Sequence, residues 1–309
     1  MSAKSIPSAA LLRQDLAWIR QHFDIDELLN HRITPGDIQQ YYSQSNIAYR
    51  LVHSLGGAVH MALSQGGRFR FSDYDGHARY LIQHIQSSGQ EVLELGCGTG
   101  YNLEKLAVSQ PGNRFYGVDI THLHVIQAKN RLRNHNNAIV NQGDFHKLSY
   151  GNGKFDTVYD VEAVCHAQNI EQVVGEVYRV LKPSGFFILF DGFRVVPSGQ
   201  LSEDEYLARR LIEKSMALEN VVLVDDLITK AEEADFLVKE RIDIADQIMP
   251  NLLRLRQLIM PWRLLPFGFS IAHQILPANL VNNAIAALLM PYMVGNGYQG
   301  YFRILLQKR

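Results

Sequence analysis

Residues 91–102 read EVLELGCGTGYN, an apolar strand that runs into a turn and then into a helix-forming segment. Three glycines, Gly96, Gly98 and Gly100, occupy alternate positions of the turn. Glycine permits the positive φ angles of a tight strand-to-helix turn and lets a ligand lie against the backbone. The spacing is G-x-G-x-G, whereas the dinucleotide fingerprint is G-x-G-x-x-G. The turn therefore predicts a ligand-binding loop that departs from the nicotinamide pattern.

The segments that follow the turn read as further strands. Residues 114–119 (RFYGVD) end in Asp119, 19 residues after Gly100, where an acid can accept both hydroxyls of a ribose. Residues 138–140, 155–160, 185–190, 236–244 and 300–307 are the other strand candidates. Because helix-like segments alternate with these strands, we expect an α/β fold with a mainly parallel sheet and a ligand at the carboxyl ends of the strands.

In this order and spacing the segments resemble class I S-adenosylmethionine-dependent methyltransferases. The resemblance implies S-adenosyl-L-methionine as the cofactor and a Rossmann-like, seven-stranded sheet whose last strand is antiparallel. In the family, an acid placed like Asp144 meets the adenine amino group and its neighbour packs on the ring. Taken singly, Asp119 and Asp144 would also fit turn or cap positions. The implied cofactor contacts are Glu94, Gly96, Gly98, Gly100, Asp119, Ile120, Asp144, Phe145 and Asp160.

The pattern around this core predicts a division of the chain into six segments. Apolar residues at spacings of three and four before the first strand predict helices over 10–23, 37–63 and 76–86. The predicted segments are an N-terminal helical cap (1–88), the cofactor-binding core (89–192), a helical cap insertion (193–224), a continuation of the core (225–247), an apolar helical insertion before the last strand (248–297) and that last strand (298–309).

Composition is that of a globular enzyme. The chain has 309 residues, 47% of them hydrophobic, and its net charge of −1 gives no long-range attraction to nucleic acid. The two cysteines, Cys97 and Cys165, follow no metal-binding spacing, so no metal site is predicted. The N-terminus lacks an apolar signal region, and no apolar run approaches the roughly 18 residues of a membrane span, so we expect a cytoplasmic protein. Segment 248–293, rich in Leu, Ile and Met and broken by proline, fits ordinary core, the wall of an apolar pocket or a peripheral membrane contact.

Residues 158–185, VYDVEAVCHAQNIEQVVGEVYRVLKPSG, are similar to the corresponding stretch of the sterol C-24 methyltransferase group. Glu162, Ala163, His166 and Ala167 match that group. The similarity is thinner outside the core, since residues 56–60 (GGAVH), which end in His60, resemble only loosely an aromatic, glycine-rich segment of the group. The resemblance implies an isoprenoid C-methyltransferase.

Methyl transfer to an alkene carbon leaves a tertiary cation, so such a site needs groups that stabilise positive charge, a dry pocket and a base. Glu162 is the first candidate for cation stabiliser or base and His166 the second. Each also fits a structural role, His166 as a helix-cap or substrate-positioning residue. Candidates for an aromatic substrate wall, which would otherwise be core, are Tyr41, Tyr42 and Tyr49, and His60 is a further candidate substrate contact.

The acceptor is less constrained than the cofactor. A prenyl diphosphate of the geranyl or farnesyl type needs cations for its phosphates. Arg68 and Arg70 are the first candidates and Arg209 and Arg210 the second, with a surface arginine pair as the alternative. These arginines and the missing aromatic segment favour a prenyl diphosphate, methylated with or without cyclisation, over a sterol. Two other hypotheses are a small-molecule N-, O- or quinone-ring methyltransferase and a catalytically silent cofactor-binding partner protein.

Overall fold

The structure is a computed structural model that describes residues 6–48, 53–54, 56–265 and 268–309. One seven-stranded sheet forms its centre, with the strand order β3-β2-β1-β4-β5-β7-β6. Strands β1 to β5 pair in parallel, and β7 is antiparallel to both β5 and β6, so the predicted fold is confirmed. The strands are β1 (Ser88–Leu95), β2 (Gly112–Asp119), β3 (Ala138–Gln142), β4 (Phe155–Val161), β5 (Leu181–Arg194), β6 (Phe236–Asp243) and β7 (Gln299–Lys308).

Helices cover both faces of the sheet and add a separate layer over the carboxyl ends of the strands. They are α1 (Ala9–His22), α2 (Ile25–Asn30), α3 (Pro35–Ala48), α4 (Gly76–His84), α5 (Tyr101–Ser109), α6 (His122–Leu132), α7 (Ile170–Val180), α8 (Glu203–Ser215), α9 (Val224–Glu233), α10 (Ala245–Leu264), α11 (Gly268–Ile275) and α12 (Ala278–Gly295). Helices α4, α5 and α6 pack on one face of the sheet and α7 and α9 on the other. In α7 the buried valines fall at helical spacing, which is why one side of the helix joins the core.

The outer layer has its own apolar core, formed by α1, α8, α11 and α12. The apolar insertion is helical, as the sequence predicts, and α12 is buried along most of its length. Among the described residues, none of the helices combines the length and the apolar character that a membrane span requires.

One predicted helix is wrong. The sequence predicts a helix over 37–63, but α3 ends at Ala48, and residues 56–64 form an irregular segment. Gly57 adopts a φ of 81°, and the Ser54 hydroxyl donates to the Ala58 carbonyl at 2.9 Å, so the chain turns here instead of continuing as helix. This segment brings the backbone of Met61 to the end of β4, where it contributes to the site.

Candidate active site

A cavity of about 410 Å³ lies at the carboxyl ends of β1, β2 and β4. Strand β1 has β2 on one side and β4 on the other, so the strand order reverses at this point, which is where open α/β sheets bind ligands. Six of the predicted cofactor residues line the cavity: Gly96, Gly98, Asp119, Ile120, Asp144 and Phe145. Gly96 and Gly98 belong to the turn after β1, and Asp119 ends β2. Ile120 follows β2, and Asp144 and Phe145 follow β3.

The glycines of this turn have little room for a side chain. Gly96 and Gly98 have φ angles of 59° and 51°, a region that other residues rarely adopt. A Cβ on Gly96 would stand 2.2 Å from the Cβ of Ala163, and one on Gly98 would stand 2.9 Å from Val59 Cγ2. Gly100, with a φ of 77°, starts α5 and packs against Ala128 instead of lining the cavity.

The carboxylate of Asp119 is fixed at the end of β2. Its Oδ2 accepts the Gly98 N–H at 2.8 Å, and its Oδ1 accepts the Thr121 N–H at 2.8 Å. His124, whose Nδ1 lies 3.6 Å from Asp119 Oδ1, also lines the cavity, and its Nε2 is buried without a partner among the described residues. A buried polar atom of this kind needs a hydrogen bond, so the cavity is suited to a polar ligand.

Glu94 and Asp160 lie behind the cavity wall instead of lining it. Burial raises the pKa of Glu94 to about 8. Burial and the neighbouring Asp191 carboxylate hold the pKa of Asp160 well above its ordinary value. Asp160 Oδ1 accepts the N–H groups of Ala163 and Val164 at 3.0 and 2.9 Å, and Asp191 Oδ2 accepts that of Cys165 at 2.7 Å. Asp160 and Asp191 thus hold the turn after β4 in place.

Glu162 follows β4 in a backbone conformation that is rare for a residue with a side chain, with a φ of 56°. Its N–H donates to the Phe190 carbonyl at 2.9 Å, which keeps this turn next to β5. Its Oε1 accepts the Met61 N–H at 2.7 Å and the Tyr301 hydroxyl at 2.8 Å. Burial raises the pKa of the Glu162 carboxyl to about 8, so its charge responds to any cation that enters the site.

His166 stands four residues further on, at the end of a short 3-10 turn. Its Nδ1 lies 3.3 Å from the Ala217 carbonyl oxygen, which can only accept, so Nδ1 carries the hydrogen. Its Nε2 therefore accepts from the Tyr42 hydroxyl, 2.9 Å away. Burial lowers the pKa of His166 to about 4, which keeps the imidazole neutral. Tyr42 and His166 thus form a neutral, hydrogen-bonded pair beside Glu162.

Two further cavities continue from the first into the helical layer. The middle cavity, of about 90 Å³, shares Tyr42, Val59, Glu162 and His166 with the first. The outer cavity, of about 150 Å³, shares His53, Met61, Met216 and Met290 with the middle one. The outer cavity lies between α10 and α12, and leucine, isoleucine and methionine form much of its wall. The described residues that line the middle and outer cavities include no lysine or arginine.

Comparison with known proteins agrees with this arrangement. Residues 93–189 match the family model described as a methyltransferase domain. The chain is 28% identical over 198 residues to 24-methylenesterol C-methyltransferase 2 of Oryza sativa subsp. japonica, covering 62% of this chain and 53% of that protein. The chain spans about half the length of the curated relatives it matches.

Solved structures share the fold. The cyclopropane synthase MmaA2 of Mycobacterium tuberculosis superposes with a TM-score of 0.76 at 12% identity, covering 90% of this chain and 100% of that one. Geranyl diphosphate C-methyltransferase of Streptomyces coelicolor, solved with S-adenosyl-L-homocysteine, gives a TM-score of 0.66 at 12% identity, with 89% and 97% covered. Residues 93–189 of our chain are thus a methyltransferase domain. The predicted family resemblance and the predicted cofactor, S-adenosyl-L-methionine, are confirmed.

The remaining predicted substrate residues are scattered. Tyr41 lines the outer cavity, where its hydroxyl donates to Asn283 Oδ1 at 2.6 Å. His60 is buried behind Met61, with its Nδ1 at 2.9 Å from the Met61 carbonyl oxygen. Tyr49 lies outside the described residues.

The predicted phosphate-binding arginines lie away from the cavities. Arg68 and Arg70 are exposed and line none of the three cavities. Arg209 donates to Ser198 Oγ at 3.0 Å, and Arg210 donates to Glu213 Oε2 at 2.6 Å, so both bind groups of the protein itself. In the part of the chain that the structure describes, no three acidic, histidine or cysteine side chains are grouped so that they could hold a metal ion.

Several residues of the candidate site are not among those predicted from the sequence. Tyr301 contacts Glu162, Met61 supplies a backbone donor, and Asp191 lines the middle cavity. A topological signal for Tyr301 was available. Since β7 is antiparallel to the other core strands, its first residues lie at the edge of the sheet where the parallel strands end.

Proposed function

We propose that the protein transfers the methyl group of S-adenosylmethionine to an alkene carbon of a neutral isoprenoid, with Glu162 as cation stabiliser and base. The observation that supports this most directly is the position of Glu162. Its side chain lines both the cofactor-side cavity and the apolar middle cavity, so it stands where a cofactor and an apolar acceptor would meet. Its buried carboxyl has backbone and hydroxyl donors as partners.

The cofactor-side cavity fits S-adenosylmethionine. Asp119 offers a fixed carboxylate for the ribose hydroxyls, and Phe145 offers an aromatic face beside Asp144 for the adenine. His124 offers a buried Nε2 that needs a partner. Gly96 and Gly98 leave the backbone open to a ligand at the end of β1.

When bound, S-adenosylmethionine supplies a sulfonium methyl group, whose transfer to an alkene carbon leaves a tertiary carbocation on the substrate. Both hydrogen bonds to the Glu162 side chain end on Oε1, so Oε2 is the oxygen that would face the substrate. A nearby positive charge favours ionisation of this carboxyl, whose pKa is otherwise about 8. Glu162 Oε2 then takes a proton from a carbon next to the cationic centre, and the electrons of that C–H bond form the new alkene.

The apolar walls exclude water, which would otherwise trap the carbocation as an alcohol. Tyr42 presents an aromatic ring where the first and middle cavities meet, and the face of such a ring attracts a cation. Its hydroxyl bond to His166 Nε2 holds that ring in place. We therefore assign His166 the role of positioning Tyr42.

The cavity walls support a neutral acceptor. The predicted preference for a prenyl diphosphate rests on a missing aromatic segment and on arginines that line none of the three cavities. The middle and outer cavities have no lysine or arginine among their described wall residues. A buried diphosphate without cationic partners is unfavourable by several kcal/mol or more. Methionines 61, 216 and 290 give the cavity an adaptable wall that suits a flexible hydrocarbon.

The test is methyl transfer from labelled S-adenosylmethionine to four acceptor sets: sterols with a side-chain alkene, prenyl alcohols, the matching geranyl and farnesyl diphosphates, and quinols. We expect the label in a C-methylated neutral isoprenoid. Met290→Trp, which fills the space shared by the middle and outer cavities, should raise KM for that acceptor while leaving the cofactor Kd unchanged. Label confined to diphosphates would contradict the neutral acceptor, and label on oxygen or nitrogen would contradict C-methylation.

A further inference from the structure

One exposed face of the helical insertion is apolar. We call it the docking face and define it by Leu258, Trp262, Leu264, Leu265, Ile271 and Ile275, which lie on α10, on α11 and on the residue that ends α10. Leu264 is 76% exposed and Ile275 is 68% exposed. Several exposed apolar side chains on two helices that pack together are typical of a site of protein or membrane contact.

The docking face is continuous with the outer cavity. Leu255, Leu258 and Ile259 line that cavity, and Trp262 follows them at the spacing of one helical side. Leu258 is therefore part of both the cavity wall and the docking face.

The insertion itself carries no acidic side chain that an anionic lipid surface would repel. Asp246 is the last acidic residue of the chain, so residues 247–309 contain six lysines and arginines and no aspartate or glutamate. Three of these cations, Arg254, Arg256 and Arg263, are on α10, and Asp15 of α1 pairs with the last two. The insertion thus brings no negative charge of its own toward an anionic membrane.

We infer that the docking face rests on a lipid bilayer containing anionic lipids, and that it opens the outer cavity toward the acyl chains. Leu264, Leu265, Ile271 and Ile275 would enter the boundary between headgroups and acyl chains, where the indole of Trp262 is also favoured. An apolar acceptor could then enter the cavity without crossing water. The inference rests on the proposed function for this last step alone, because attachment to lipid needs neither cofactor nor acceptor.

The experiment is flotation of the full chain with phosphatidylcholine vesicles, with and without phosphatidylglycerol, in the absence of cofactor and acceptor. We expect binding that increases with phosphatidylglycerol and weakens with salt. The double variant Leu264→Ser with Ile275→Ser should bind vesicles at least about tenfold more weakly than the wild type, since two exposed apolar side chains no longer enter the lipid. In a Trp18→Phe background Trp262 is the only tryptophan, and its emission should shift to the blue when vesicles are added.

The matched control is Val108→Ser with Ile139→Ser. These side chains are 60% and 51% exposed, but they lie on α5 and on the edge strand β3, not on α10 or α11. Binding should stay within about twofold of the wild type. Both double variants should keep the wild-type melting temperature and S-adenosylmethionine affinity, which shows that they fold.

Three results would overturn the inference. The first is a wild-type chain that does not float with either vesicle. The second is equal binding by the docking-face variant and the wild type. The third is a concentration-dependent dimer that the docking-face variant abolishes, which would assign this surface to a second copy of the chain. Failure of methyl transfer would leave vesicle binding unchanged, so the two proposals fail separately.

Discussion

Replacement of Glu162 by glutamine should abolish most turnover while preserving the fold and cofactor binding. Glutamine has nearly the same shape, and its Oε1 can still accept from the Met61 N–H and the Tyr301 hydroxyl. Burial of a neutral amide in place of a carboxyl whose pKa is about 8 removes little favourable interaction in the resting protein. What disappears is the negative charge beside the carbocation and the oxygen that receives its proton.

The size of this effect follows from the role of the residue. A positioned general base contributes about 10²- to 10⁴-fold in rate, which corresponds to about 3 to 5 kcal/mol of barrier. Because the carbocation forms, and the base acts, only after the cofactor and the acceptor have bound, kcat should fall far more than the S-adenosylmethionine Kd or the acceptor KM changes. The residual product should also change, since a cation that is not deprotonated at the usual carbon yields another alkene isomer or a ring.

Single-turnover transfer of labelled methyl, with gas chromatography of the extracted products, measures both the rate and the product distribution. Calorimetry of cofactor binding provides the control for the intact site. Glu162→Asp, which keeps the charge but withdraws it by one methylene, should recover part of the rate. A folded Glu162→Gln protein with wild-type rate and products would remove this residue from the mechanism.

The sequence predicts the sheet and much of the cofactor-side cavity because both depend on local patterns. Each core strand is a short apolar run, and parallel strands bring their carboxyl ends to one edge, so Gly96, Asp119 and Asp144 converge without any knowledge of distant contacts. The spacing of the Glu162 and His166 motif places both residues on one turn after β4 for the same reason.

The rest of the site depends on contacts between distant parts of the chain. Met61 and Tyr301 lie 101 and 139 residues from Glu162 in sequence, and neither belongs to a local motif that signals the contact. The apolar spacing within 37–63 fits a helix, but a glycine turn breaks it and sends Met61 across the strand ends. The sequence shows that an arginine is charged and lies near glycines, whereas tertiary structure decides whether it faces a cavity, the solvent or a glutamate.

Three further changes test the geometry. Asp119→Ala should weaken S-adenosylmethionine binding by about 10- to 100-fold in calorimetry, because hydrogen bonds to a charged group are lost, and unchanged affinity would place the ribose elsewhere. Gly96→Ala, whose new Cβ would meet Ala163 at 2.2 Å, should lower the melting temperature more than Gly153→Ala, which has a similar φ but open space around it. Tyr301→Phe should shift the pH profile. The Tyr301 hydroxyl bond favours the ionised form of Glu162, so its removal should raise the carboxyl pKa above its present value of about 8. Because the base acts when deprotonated, kcat/KM should rise with pH through that pKa, and in Tyr301→Phe the rise should occur on the order of 1 to 2 pH units higher. A rising limb that stays in place in a folded Tyr301→Phe protein would show that Glu162 does not control the pH dependence.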